Sequence, residues 1–385
     1  MKKILLTTAA LLSIASAQVF GMYGVDSDWI DFLTHGNQFR ARLKQLGFTL
    51  GNDTIKGTFG FNNPDNLGAI LSTVTSTNGA TSPHAQLGKF IPNISAGIGY
   101  TSSAISVGVG YTVSITDVWR GTDGKAHQQA AHTPTLVLNA LDNAFRMAIP
   151  IQVYVNNDKD VDGNKTSEMA VSVDSQFRYY TGLDVLPQVR LYLRYGLYQF
   201  EDNPAQGDKT KTKYGESFGF DLRFYFGSVV EEVALQPLVK LAYNGALGNY
   251  HNNNRIQAVK AMNGDYNTQP TWGNGTYDLT LMTGLGLTAN SDIVSLYLEP
   301  QLGLSVTKSA PRGSSATLPG ETPAPASIAK ESYGLAYNVY AEIYITPIKN
   351  LEWYFEAEIG GSSSYQPSQL VFNGTTGVTW YLPAL

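Results

Sequence analysis

The chain has 385 residues, of which 15% are charged, with 38 Gly, 23 Tyr, 16 Phe, no Cys and a net charge of −5. The missing Cys excludes a disulfide-stapled domain and a thiolate metal site, and 26 Lys and Arg against 31 Asp and Glu leave no electrostatic footprint for duplex nucleic acid. Only the first residues form a long apolar run, which excludes a helical membrane bundle but not a transmembrane barrel, because half of each barrel strand faces water.

Met1-Lys2-Lys3 is a positive n-region and Ile4 to Ile14 an apolar h-region, the pattern of a signal peptide over residues 1–21. Ala15-Ser16-Ala17 and Val19-Phe20-Gly21 are both acceptable cleavage sites, so the mature chain is expected to start at Gln18 or Met22. Without a Cys to carry lipid, membrane attachment must come from the fold. In the N-terminal segment 22–50, Trp29, Phe32, Leu33, Phe39, Leu43 and Leu46 recur at near-helical spacing opposite Asp28, Asp31, Arg40 and Lys44, with a break at Gly36-Asn37. This predicts one or two short amphipathic helices, resting in the periplasm or plugging a lumen.

Residues 51–385 read differently. Thr54 to Phe61 is a first strand, and from residue 93 onward segments of ten to fifteen residues alternate apolar and polar, as in Ile105, Val107, Val109, Tyr111 and Val113 opposite Ser106, Gly108, Gly110 and Thr112. Reading Thr133 to Leu141 as a strand turned by Asp142-Asn143 puts every long connection on one side: 63–92, 116–132, 156–167, 200–213, 247–275, 307–331 and 361–368. Short turns fall on the other, as outer-membrane barrels require. The fold class is all-β, an outer-membrane β-barrel of about fourteen antiparallel strands with both termini in the periplasm. Pro150, Pro187, Pro237 and Pro300 remove ladder donors and predict bulges. The last strand, Gln369 to Leu382, carries Phe372, Val378, Trp380 and Leu382 on one face but ends Pro383-Ala384-Leu385, which leaves twelve or sixteen strands open.

Charge at mid-depth on the lipid face costs about 2–4 kcal/mol, so strand charges are expected inside. From 144 to 246 the inward set is Arg146, Arg178, Arg190, Arg194, Arg223 and Lys240 against Asp174 and Asp221. From 276 to 360 it is Asp278, Glu299, Glu342, Glu352, Glu356 and Glu358, without Lys or Arg. A basic arc beside an acidic arc matches the transverse field of a diffusion porin; the bland alternative is that the two sets pair across a filled interior. Trp353, Trp380, Tyr179, Tyr195 and Tyr243 read as interfacial girdle residues.

Asp158, Asp160 and Asp162 with Gly163 open like a calcium loop, but Met169 stands where the closing Glu belongs, and such loop tips are mostly solvated turns. Gly215-Glu216-Ser217-Phe218-Gly219 matches a nucleophile elbow in the wrong context, and His35, His84, His127, His132 and His251 lie in the N-terminal segment or outer loops. The Asn-rich 247–275 and Pro-rich 307–331 loops lack the apolar area to order themselves and are expected to be mobile and exposed.

Met22-Tyr23-Gly24, the run from Asp28-Trp29-Ile30-Asp31-Phe32 to Phe39-Arg40-Ala41-Arg42, then Leu46-Gly47-Phe48 and Ile55-Lys56-Gly57-Thr58-Phe59-Gly60-Phe61 resemble the variable surface proteins of Brachyspira spirochaetes. These motifs cover about the first forty mature residues, and the size and exported barrel pattern extend the likeness over the chain. The resemblance implies an abundant, surface-exposed outer-membrane antigen that varies between paralogues, favours Met22 as the mature start, and brings no catalytic or ligand residues. The expected function is a variable surface antigen with passive, porin-like diffusion, not an enzyme and without a cofactor. The alternatives are a non-conducting antigen or adhesin, an outer-membrane lipase or esterase using Ser217, and a soluble periplasmic β-protein. Expected partners are outer-membrane lipid, host antibodies through the outer loops, and copies of itself or related surface proteins; nucleic acid is not among them.

Overall fold

The computed structural model describes residues 28–43, 45–62, 93–102, 104–116, 119–120, 126–159, 163–205, 207, 210–230, 233–247, 254–263, 275–308, 331–364 and 369–385. The expected signal peptide lies outside them. Sixteen strands form one closed antiparallel barrel: β1 Gln38–Arg42, β2 Gln45–Gly51, β3 Ile55–Asn62, β4 Asn93–Thr101, β5 Ile105–Ile115, β6 Ala130–Ala140, β7 Phe145–Lys159 and β8 Lys165–Tyr180 make the first half. The second half is β9 Gln188–Asn203, β10 Thr210–Tyr225, β11 Val233–Ala246, β12 Tyr277–Asn290, β13 Val294–Lys308, β14 Glu331–Ile348, β15 Leu351–Ser362 and β16 Gln369–Tyr381. Each strand pairs with its sequence neighbours, and β16 closes on β1 through Phe39↔Trp380 and Gln38↔Tyr381. Asn37 Nδ2 donates to the Gly51 and Pro383 carbonyls, so the start of β1 and the end of β16 meet at the short-turn mouth.

Burial is inverted relative to a water-soluble protein. Phe48, Phe59, Ile98, Val109, Leu193, Phe218, Leu281, Leu302, Leu335, Ile343 and Trp380 are exposed, while Thr49, Thr58, Ser95, Thr112, Thr133, Ser172, Glu342 and Thr379 are buried. Period two explains this directly, because alternate side chains point to opposite faces. The apolar set faces lipid, and the polar set meets partners inside, such as Thr49 with Thr58 at 2.9 Å and Ser95 with Thr112 at 2.8 Å. Among the described residues no helix is long and apolar enough to cross a membrane; the strands supply the apolar surface of an outer-membrane barrel.

Three expectations change. The count is sixteen rather than fourteen, because Gln38–Gly51 is the hairpin β1–β2 and not helix. Phe39, Leu46 and Phe48 face lipid, and the two-residue step at Leu43 shifts the alternation into spacings of four and three that imitate a helix. Strands also run further outward than read: β7 reaches Lys159, β8 starts at Lys165, β9 reaches Asn203 and β10 starts at Thr210, so most of 156–167 and 200–213 is wall. Finally, Pro187 precedes β9, while the ladder breaks beside Pro150 and Pro300 and then resumes in unchanged register. The register shifts fall instead at Tyr198/Gln199 and between Ile345 and Ile348, beside Pro347.

Candidate functional site in the lumen

The interior is built from two infolded segments and a patterned inner wall. The first segment, α1 (Asp28–Asp31) followed by a 3-10 turn over Phe32–Thr34, lies inside the barrel against β2–β6. Of the two placements left open by sequence, the structure takes the lumen. The wall is shaped for it. A Cβ on Gly60 would stand 2.3 Å from Trp29 Cε2, and one on Gly110 2.1 Å from Ile30 Cδ1; one on Gly97, Gly99 or Gly108 would come within 2.9–3.0 Å of Leu33. Trp29, Ile30 and Leu33 are accordingly buried. The end of the segment is tied by Lys56 Nζ, which donates to the His35 carbonyl at 2.6 Å, and by His35 Nδ1 at 2.9 Å from the Asp31 carbonyl. Burial, reinforced by the positive charge of Arg146, Arg40 and Lys56, lowers the His35 pKa to about 3 and keeps the ring neutral.

The predicted basic residues fall largely on one rung. Register places Arg146 opposite Arg178, Arg178 opposite Arg190, Arg190 opposite Arg223 and Arg223 opposite Lys240, five cations on consecutive strands β7–β11. Like charges directly opposite repel, so each needs compensation. Asp221 binds Arg223 at 2.8 and 2.9 Å and Lys240 at 3.6 Å. Tyrosine rings take others: Arg190 lies 4.5 Å from the Tyr225 centroid, Arg223 5.0 Å from Tyr192 and Arg146 5.4 Å from Tyr180. Arg194, further outward, pairs with Asp174 at 3.3 Å. Arg40 and Arg42 on β1 join the inner cations, Arg42 at 3.7 Å from Glu352 and stacked 3.8 Å from Tyr354. Reading 26–46 as helix hid them.

The acidic residues on β12–β15 are held mostly by tyrosine hydroxyls rather than by the basic arc. Tyr297 donates to Glu299, Tyr340 and Tyr344 to Glu342, Tyr354 to Glu356 and Tyr381 to Glu352. Glu342 and Glu356 face each other in register. Asp278 and Glu358 border an open cavity of about 400 Å³ whose other charged residues are Arg194, Asp221 and Lys240. The two sets therefore meet at this cavity, while Arg146, Arg178 and Arg190 lie apart from it.

The second infolded segment overturns the expectation of a loop exposed throughout 247–275. Residues 254–263, including α2 (Ala258–Met262), bury Ile256, Ala258, Val259, Ala261 and Met262 against Ala131, Tyr154, Ala170 and Tyr198 of the inner wall. Backbone donors are met by wall hydroxyls: Ile256 N–H to Ser217 Oγ at 2.7 Å and Ala258 N–H to Ser172 Oγ at 2.9 Å. Arg255 reaches Asp174 at 2.6 Å and Asn254 donates to Asp278. The apolar spacing of Ile256, Val259 and Met262 inside an Asn-rich stretch is the signal that composition alone concealed.

Ser217 is thus buried and its hydroxyl occupied by a backbone donor. His132 lies on β6, not in a loop, beside Tyr111 on the exposed face. Asp158 is an exposed strand residue of β7 opposite Thr166, while Asp160 and Asp162 lie outside the described residues. Trp353, Trp380, Tyr179 and Tyr195 are exposed as girdle residues should be; Tyr243 is half-buried, stacked between Phe220 and Tyr277.

No curated relative matches the sequence. Among solved structures the chain is similar to a bacterial polysaccharide outer membrane secretin, at 9% identity and a TM-score of 0.43 over 88% of this chain and 91% of that one. It is also similar to the translocator domain of the autotransporter NalP from Neisseria meningitidis, at 14% identity and a TM-score of 0.32 over 98% of each chain. A third likeness is the β domain of the Bordetella autotransporter BrkA, at 10% identity and a TM-score of 0.32 over 77% of this chain and 100% of that one. The family model described as Serpulina hyodysenteriae variable surface protein matches residues 2–381, nearly the whole chain, and the chain belongs to that family.

Proposed function

We propose that this protein is a surface-exposed antigen of the outer membrane that also passes small polar solutes by diffusion. The cavity of about 400 Å³ beside β9–β15, bordered by Arg194 and Lys240 as well as Asp278 and Glu358, carries the diffusion reading. Charges of both signs around a water-filled space orient a dipolar solute in transit. In planar bilayers the purified, folded barrel is expected to give discrete, ohmic single-channel steps; a folded barrel that passes no current overturns this reading.

A second reading, the non-conducting antigen, is favoured by the two infolded segments and by the internal pairing of Asp221, Glu299, Glu342 and Glu352, which fill much of the interior. The same bilayer measurement separates the two. Neither reading uses Ser217, whose hydroxyl accepts the Ile256 N–H.

Surface exposure follows from composition. The Pro-, Ser- and Thr-rich connection within 307–331 is the one on which the expectation of exposure rests, and substitution in an outer loop costs a barrel little. Outer-membrane lipid, host antibodies and neighbouring copies or related surface proteins are the partners this role requires. Protease added to intact cells should cleave within 309–330 and spare 254–263; no cleavage anywhere in the chain would refute exposure.

A further inference from the structure

The open cavity of about 400 Å³ beside β9–β15 presents charges that the fold leaves partly unused. Its volume falls in the range of small-molecule sites, about 300–1,000 Å³. It runs from mid-strand, at Arg194, Lys240 and Glu358, to the long-loop ends of β11, β12 and β15, at Asn244, Asp278 and Ser362. Short side chains on the wall between the charges leave the room. Ala242, Thr280 and Ser305 form one row across β11–β13, and Ala336 and Ser362 another across β14–β15.

On the basic side, Arg194 gives its Nε to Asp174 at 3.3 Å. Lys240 has one ion pair, to Asp221 at 3.6 Å, and Asp221 is held closer by Arg223, at 2.8 Å. A guanidinium carries five donors and an ammonium three, so both residues have donors to spare. Both are also within reach of a solute, with 17% and 19% of their side-chain surface exposed. Across the cavity stands Glu358, which forms no hydrogen bond or ion pair among the described residues. It differs in this from Glu299, Glu342, Glu352 and Glu356, each held by a tyrosine hydroxyl. Its charge acts on Lys240 through the intervening space, without contact.

We propose that this cavity binds an amino-acid-type zwitterion, a single amino acid or a short peptide, with its ammonium on Glu358 and its carboxylate on Arg194 and Lys240. Opposite charges that face each other across water are both satisfied by one solute carrying both signs, because two charge-assisted pairs form at once. A simple cation or anion answers one side and leaves the other as it was, and a neutral solute answers neither. The site deepens the diffusion reading, on which it rests for a role, by naming the solute class that dwells in the lumen. Binding itself requires access from one mouth only.

The test uses the purified, folded barrel in a non-ionic detergent at low, constant ionic strength, titrated in a calorimeter with alanine, dialanine, acetyl-dialanine or dialanine amide. At least one of the two zwitterions is expected to bind at millimolar concentration or tighter. Acetyl-dialanine, which lacks the ammonium, and dialanine amide, which lacks the carboxylate, should each bind about tenfold or more weakly than dialanine. Glu358→Gln should bring dialanine down to the affinity of acetyl-dialanine without weakening acetyl-dialanine itself. Lys240→Gln should weaken dialanine and spare the amide; Asp221 keeps Arg223 in that variant, so it serves if Glu358→Gln does not fold. No binding of either zwitterion, blocked forms that bind as well as dialanine, or undiminished binding in both variants would each overturn the assignment. A barrel that binds dialanine but passes no current removes the diffusion reading and leaves this site standing; a conducting barrel indifferent to both zwitterions does the reverse.

Discussion

Replacing Gly60 or Gly110 with Val is expected to release the N-terminal segment from the lumen while the barrel stays folded. Both glycines are on strands and need no unusual backbone angle; what they supply is room. A side chain at Gly60 would occupy the space of the Trp29 ring, and one at Gly110 that of Ile30. Overpacking of this kind costs about 1–3 kcal/mol, and each 1.4 kcal/mol is about tenfold in a population. The wall strands are fixed by their ladders on both sides, so the strain is relieved by the element with the fewest ties. That element is the α1 segment, tied toward its end by Lys56 on the His35 carbonyl and by Arg40 over the Phe32 ring. Heat-modifiable gel mobility should be unchanged, Trp29 emission should shift to the red relative to the wild type, and mean single-channel conductance should rise. A variant with native Trp29 emission and unchanged current would mean that the wall yields instead of the plug.

Those glycines also show where the sequence was legible. Alternation over ten or more residues exposed the wall, and inward charges on β7–β15 followed from the cost of placing charge in lipid, so the barrel and most of its lumen could be read directly. The choice of lumen over periplasm for α1 was also written in the chain: Gly97, Gly99, Gly108 and Gly110 sit on inward-facing positions of β4 and β5, and a flat wall is what an enclosed helix needs. It was not read because small inward residues have a second explanation in barrel packing. The hairpin β1–β2 was hidden for a different reason. Strands of five and seven residues contain too few alternations to separate period two from 3.6, and the loss of that hairpin removed Arg40 and Arg42 from the inner charge set. The rung of five cations needed register, which no single-strand pattern supplies. Residues 254–263 failed because composition was averaged over a loop in which one short apolar stripe outweighs the surrounding asparagines.

That stripe carries the second large expected effect. Ile256→Asp should expel residues 254–263 from the barrel. Ile256 is 2% exposed, its side chain lies over Gly196, and its N–H is one of the two backbone donors taken by wall hydroxyls. An unpaired carboxylate there costs several kcal/mol unless it reaches water. Of the polar ties that remain, Arg255 to Asp174 and Asn254 to Asp278 are partly exposed and worth about 1 kcal/mol or less for such a pair, little against that cost. Undocking uncovers the outer half of β6–β10, where Tyr154, Ala170 and Tyr198 are now covered by α2, and widens the lumen on the side away from the present cavity. The measurable result is a pair of changes in the same variant: cleavage within 254–263 by protease added to intact cells, which the wild type resists, and a larger single-channel conductance. Ser217→Val, which removes one hydroxyl acceptor but adds no charge, should produce the same changes in weaker form. If Ile256→Asp gains cleavage without any gain in current, the segment is a lining of the wall and the route for solutes runs entirely through the β9–β15 side.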